Sequence, residues 1–164
     1  MRVIGLSDIR AAVYKAIEEK GRHYVYTDEH PEACVYFNED GSPSCGIGFA
    51  LATLELKEPA QDGIADYLRA HRSQSSEPSA SALFALLNLN DDPHVMFTAA
   101  AKHWADMFQN LQDCGRAWGE AASAADARYG TTEYIGINIG TSAHHAFAET
   151  FGGMHSIDEH SPSL

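Results

Sequence analysis

The amino-acid sequence predicts an α+β fold, a predominantly helical single domain carrying a small antiparallel sheet of three strands. Two observations predict the helices: apolar residues recur at steps of three and four over residues 7–20 and again over residues 97–111. A third predicts the sheet, because Ile135, Ile137 and Ile139 alternate within Tyr134–Ile139 and so fall on one side of an extended chain. The domain is expected over residues 1–151. Residues 152–164, with paired glycines and two serines flanking a proline, read as a flexible tail.

Taken in order, Ser7 is placed to cap a helix whose buried positions are Ile9, Val13, Ala16 and Ile17, with Lys20 in its last turn and Gly21 ending it. Tyr24–Tyr26 and Cys34–Phe37 are rich in β-branched and aromatic residues and read as a strand pair around Pro31. Asn38–Gly41 is a turn. Ser42 as cap and Pro43 at the first helical position then open a second helix lined by Ile47, Leu51 and Leu54. Gly46 and Gly48 are costly for a helix, so another backbone or a ligand is expected to pass close by, with close packing as the favoured cause. A short helix over 59–71 uses Ile64, Tyr67 and Leu68, and the serine-rich stretch 72–79 reads as a flexible linker.

Residues 80–89 form a short apolar helix punctuated by Asn90–Pro93. Phe97, Ala101, Trp104, Phe108 and Leu111 then mark the seam of the central core helix, widened by Ala100 and Met107. Gly115 breaks it, and an alanine-rich helix runs from Trp118 to Arg128 before Gly130. Tyr134–Ile139 is the third strand, and a short helix follows over 142–151.

The chain has 164 residues, 45% hydrophobic and 21% charged, which suits one ordinary globular core. No stretch approaches the roughly 20 apolar residues that span a bilayer, and the start lacks an apolar signal region, so a cytoplasmic address is expected. Three cysteines, Cys34, Cys45 and Cys114, make a poor disulfide framework and read as thiols. A formal net charge of -12 repels phosphate backbones and anionic membrane surfaces, so neither nucleic acid nor membrane is expected as a direct partner. No Lys or Arg follows Arg128, whereas Glu133, Glu149, Asp158 and Glu159 do. Solubility alone accounts for such a charge, and a basic partner is the functional alternative.

Cys45 is the residue most suggestive of chemistry. A thiol in the first turn of a helix meets unpaired amide groups and the positive dipole end, the environment that activates a cysteine nucleophile. A base is then needed, and His144 or His145 could supply it. The competing reading is a buried cysteine filling space. His30, Cys34 and Cys45 form a possible zinc trio without an identifiable fourth ligand, and the terminal histidines His144, His145, His155 and His160 match no ligand spacing, so no metal and no cofactor is expected. The carboxylate pairs Asp28–Glu29, Glu39–Asp40, Asp91–Asp92 and Asp158–Glu159 all lie in turns or the tail, without apolar flanks to desolvate one of them.

Tyr24-Val25-Tyr26, Cys34-Val35-Tyr36, the run from Gly41 to Gly48 (Gly-Ser-Pro-Ser-Cys-Gly-Ile-Gly), and the run from Gln112 to Ala121 (Gln-Asp-Cys-Gly-Arg-Ala-Trp-Gly-Glu-Ala) stand out together. On these segments the chain resembles small acidic proteins of unknown function encoded by actinobacterial phages and their hosts. The resemblance spans about residues 6–127, carries no assigned activity, and implies host cytoplasm and an accessory role. The resemblance does not extend to Tyr129 or beyond; charge and the lack of an assembled catalytic site give the expectation of a non-enzymatic protein that binds a host protein with a basic surface, with Tyr134, Phe147 and Phe151 beside Glu133 and Glu149 as candidate apolar anchors and ordinary core as the competing reading of those three rings. The alternative is a cysteine-dependent hydrolase or transferase built on Cys45 with His144 or His145.

Overall fold

The computed structural model describes residues 1–26, 35–72, 76–89 and 95–130. Strand β1 (Arg2–Ile4) leads into helix α1 (Leu6–Lys20); α2 (Gly46–Thr53), α3 (Lys57–Ala70) and α4 (Ala80–Leu89) follow; strand β2 (Val95–Phe97) then precedes α5 (Ala99–Asp113) and α6 (Trp118–Tyr129). Helix α1 packs against α2, α5 and α6, and α4 bridges α3, α5 and β2. No helix among the described residues is long and apolar enough to cross a membrane.

The sheet departs from the expected one in strand number, direction and location. Among the described residues it has two strands, β1 and β2, and they run parallel with Arg2 opposite Val95, Val3 opposite Met96 and Ile4 opposite Phe97. Parallel neighbours need a long crossover, and here it consists of α1 to α4. Of the expected first strand, Val25 makes one isolated antiparallel bridge, to Ala117; of the second, Phe37 makes one to Pro43. Among the described residues these two segments therefore bridge to other parts of the chain and not to each other. Residues 134–139, 142–151 and 152–164, expected as strand, helix and tail, lie outside the described residues.

The helices follow their apolar spacing closely, and their ends show which polar group won each cap. Helix α1 begins one residue earlier than expected, with Gly5 as its cap residue: the Asp8 carboxylate accepts from Gly5 N at 2.9 Å. Helix α5 starts at Ala99 because the Thr98 hydroxyl accepts from Ala101 N at 3.3 Å. Phe97, expected on the α5 seam, therefore belongs to β2, where it stacks on Phe84 with ring centroids 4.0 Å apart. The buried side of α5 carries Ala101, Trp104, Ala105 and Phe108, all fully buried, and also Gln109 and Gln112.

Ser42 and Pro43 do not open α2. The Asp40 carboxylate captures Ser42 first, accepting from its N–H at 2.8 Å and its hydroxyl at 2.6 Å, and Pro43 sits in the bridge to Phe37. These bonds, with Gly41 at φ 77°, make residues 38–42 a closed turn, and the helix waits until Gly46. The expected linker is anchored where it is described: the Glu77 carboxylate accepts from Tyr36 N at 2.7 Å, and Pro78 O accepts from the Tyr36 hydroxyl at 2.7 Å. That hydroxyl in turn accepts from Gln109 Nε2 at 2.9 Å, while Gln109 Oε1 takes the N–H of Ala80, the first residue of α4, at 2.6 Å. One buried glutamine thus fixes the end of the linker, the start of α4 and the Tyr36 ring against α5.

Candidate functional site

Two of the four sequence segments that stand out, residues 41–48 and 112–121, meet at one junction, and Cys45 lies in it. Cys45 is the cap residue of α2 rather than a member of its first turn, and its Sγ accepts from Gly48 N at 3.5 Å. The residue is fully buried. Two close approaches seal the region. A Cβ on Gly48 would stand 2.0 Å from Tyr36 O, and one on Gly46 would stand 2.5 Å from the Phe108 ring. The expectation that close packing explains these glycines is what the geometry shows.

Two of the amides at the start of α2 are taken by the protein's own groups. Gly46 N donates to Gln112 Oε1 at 2.8 Å, and Gln112 Nε2 donates to Asp113 Oδ1 at 3.0 Å. Gly48 N is already committed to Cys45. This helix end therefore holds a glutamine oxygen and a sulfur, where an anion-binding site would leave its N–H groups pointing at a ligand.

The second segment closes the junction from the other side. Gly119 N donates to Arg22 O at 3.0 Å and Trp118 N to Tyr24 O at 2.9 Å, so residues 22–25 lie along the start of α6. A Cβ on Gly119 would come within 2.8 Å of Arg22 O, which reserves that position for glycine. Trp118 is fully buried, with its ring edge-on to Tyr24 at 4.8 Å and to Phe49 at 5.9 Å between centroids. Its own N–H finds no acceptor among the described residues, so ring contacts and backbone bonds hold it in place. On the outer side the Lys20 ammonium lies 5.6 Å from the Tyr24 ring centre and 5.1 Å from that of Phe49, covering both rings.

Of the candidate nucleophile, base, zinc-ligand and anchor residues, Cys45 alone falls within the described residues. His144 and His145, the histidines of the zinc alternative and the tail (His30, His155 and His160), Cys34, and the anchor set Glu133, Tyr134, Phe147, Glu149 and Phe151 all lie outside them. Among the described residues no group of three or more His, Cys, Asp and Glu is gathered as metal ligands would be. Of the described histidines, His71 sits on its own helix end, Nδ1 2.9 Å from Tyr67 O, and His103 faces the Tyr129 ring.

Sequence reasoning missed the most connected polar cluster. The Asp126 carboxylate receives both Arg10 Nε and Nη2 at 2.6 Å, the Tyr14 hydroxyl at 2.8 Å and Trp104 Nε1 at 2.8 Å, joining α1, α5 and α6. A signal was present: Asp126 shares a helix side with Ala122, Ala125 and Tyr129, an acid on an apolar seam, which needs partners if it is to be buried. Burial alone would push its carboxyl up, but the bonds from Arg10, Trp104 and Tyr14 and the Arg10 charge outweigh that and hold it below the ordinary value of 3.8. Burial and Asp126 together push the Tyr14 hydroxyl above its ordinary value, so it stays a donor.

A carboxylate lowered in the folded state stabilises the fold above its unfolded value and loses that contribution as pH falls through its folded value. Asp126→Asn should therefore cost about 2 kcal/mol at pH 7. The gap between variant and parent should narrow below pH 4 and close in stronger acid. Urea midpoints of both proteins at neutral and acid pH check it, and a gap that is constant with pH would show that the charge of Asp126 contributes nothing.

What the junction can do chemically is limited by its closure: the sulfur faces an amide of its own helix, and the Gly46 and Gly48 amides beside it are paired. Comparison of the chain with protein-family models, with curated proteins and with solved structures finds no match, so the residues and their geometry carry the functional reading.

Proposed function

We propose that this protein works by binding rather than by turnover, capturing a host protein with a basic surface as an accessory protein of phage origin in the host cytoplasm. The observation that carries the reading is the net charge of -12, whose basic residues end at Arg128 while acidic ones continue. Such a field speeds encounter with a cationic surface over about a Debye length, roughly 8 Å at physiological salt, and leaves specificity to apolar anchors. Tyr134, Phe147 and Phe151 beside Glu133 and Glu149 are those anchors in this reading. The phage origin and the cytoplasmic address rest on the resemblance of the segments 24–26, 34–36, 41–48 and 112–121.

The cysteine hydrolase or transferase has less support. Cys45 is a fully buried helix cap whose sulfur accepts from Gly48 N, whereas a nucleophile needs an accessible thiol beside a base. Affinity capture from host lysate, with the captured proteins identified, tests the choice. Glu133→Lys with Glu149→Lys should weaken capture several-fold, more at low salt than at high salt, without changing the melting temperature, while Cys45→Ala captures as the parent does. Loss of biological activity in a folded Cys45→Ala protein, with the charge reversals harmless, would establish the enzyme instead.

A further inference from the structure

Lys20 is an exposed residue in the last turn of α1, and its ammonium rests on aromatic faces. It stands 5.6 Å from the Tyr24 ring centre and 5.1 Å from that of Phe49, both within the range of a cation–π contact. Among the described residues no carboxylate pairs with it, in a chain that holds 23 acidic residues against 11 Lys and Arg. Ring faces have taken this cation where carboxylates are plentiful.

The two rings are held from behind. Tyr24 N donates to Gly21 O at 3.0 Å, Tyr24 O accepts from Trp118 N at 2.9 Å, and Phe49 N donates to Cys45 O at 3.0 Å. The fully buried Trp118 ring meets both of the others edge-on. Tyr24 and Phe49 are themselves half-buried, and over them lies the Lys20 side chain, an ammonium on a flexible four-carbon stem. A fixed pair of rings needs little ordering when a cation arrives, and the exposed stem is free to swing aside.

We propose that the Tyr24 and Phe49 rings receive a lysine or arginine side chain of the basic partner, and that Lys20 occupies this site in the free protein and yields it on binding. The inference rests on the basic-partner reading and gives that reading a contact point within the described residues. Charge complementarity fixes the occupant: the rings already hold a cation, and a net charge of -12 draws cationic surfaces while repelling anionic ones. An apolar side chain would displace the ammonium without replacing its attraction to the rings, whereas a second cation replaces it in kind.

Titration of the full chain with a tetralysine peptide at low salt, followed by NMR at the Tyr24 and Phe49 ring protons, tests the site. Both ring signals should shift as the peptide is added. Lys20→Ala clears the rings and should tighten binding about threefold beyond Lys15→Ala, the charge-matched control on the same helix, which removes an exposed cation away from the rings. Phe49→Leu keeps an apolar side chain but removes a ring face, and should weaken binding about threefold. If Phe49→Leu melts well below the parent, the comparison of Lys20→Ala with Lys15→Ala decides alone, since both positions are exposed. Equal tightening in those two variants, or peptide binding that leaves both ring signals in place, overturns the site and leaves the basic-partner reading standing. A peptide that binds none of these proteins at low salt overturns both.

Discussion

Trp104→Ala should destabilise the protein by about 3 to 5 kcal/mol, the range for emptying a large aromatic site in a packed core. Trp104 is fully buried, its ring stacks on Phe108 with centroids 5.6 Å apart, and its N–H is one of the donors to Asp126. Truncation therefore opens a cavity between α5 and α6 and also removes a bond from a carboxylate held by several donors. Carboxylate and cavity lie side by side, so the two losses are coupled and do not add simply. For a chain of this size the melting temperature should fall by about 10 °C. A variant melting within a degree or two of the parent would place Trp104 outside the core.

Gly48→Ala should be comparably severe, costing about 3 kcal/mol or more although it adds a single methyl group. The added Cβ would meet Tyr36 O at 2.0 Å, and a backbone oxygen cannot rotate away as a side chain can. That oxygen also accepts from Ser44 N at 2.9 Å, so moving it loosens the turn that leads into Cys45. Gly63→Ala is the internal control. Its Cβ would find Leu83 at 3.6 Å, ordinary contact, in the middle of α3. Alanine there should stabilise by about 0.5 to 1 kcal/mol, since helical glycine carries that entropic penalty. Denaturant midpoints for the two variants should move in opposite directions; both falling by similar amounts would mean that the tight approach at Gly48 is not what decides the cost.

The helices were legible because burial against one side leaves a period in the sequence. Ile9, Val13, Ala16 and Ile17 on α1, and Ala101, Trp104 and Phe108 on α5, are buried as their spacing indicates. The sheet was not legible. Each strand has three residues, too few to show alternation, and the partners lie at opposite ends of a crossover whose described residues form four helices. Tyr24–Tyr26 and Cys34–Phe37 have strand-forming residue types, yet Val25 and Phe37 spend their bridges on Ala117 and Pro43.

The site was half legible. The glycines at 46 and 48 pointed to a close approach, and Cys45 to a helix start, but the exact cap was misread because Ser42 and Pro43 carry the usual pattern of a cap. What decided the matter was Asp40, two residues earlier, whose carboxylate takes Ser42 into a turn. Asp126 with Arg10, and Gln109 with Tyr36, join residues far apart in sequence, and no local spacing announces such a pair. Their signature is a polar residue on an apolar seam, visible as an irregularity but silent about its partner.

That Cys45 is a sealed helix cap is the structural claim that separates the binding reading from the cysteine enzyme, and timed alkylation of the native protein, read by mass spectrometry at each cysteine, tests it most directly. Cys114 is exposed at the end of α5 and should be modified quickly. Cys45 is buried and should be modified only as fast as the fold opens, its rate rising with denaturant in step with global unfolding. Alkylation of Cys45 at a rate near that of Cys114, and unaffected by low denaturant, would contradict the account.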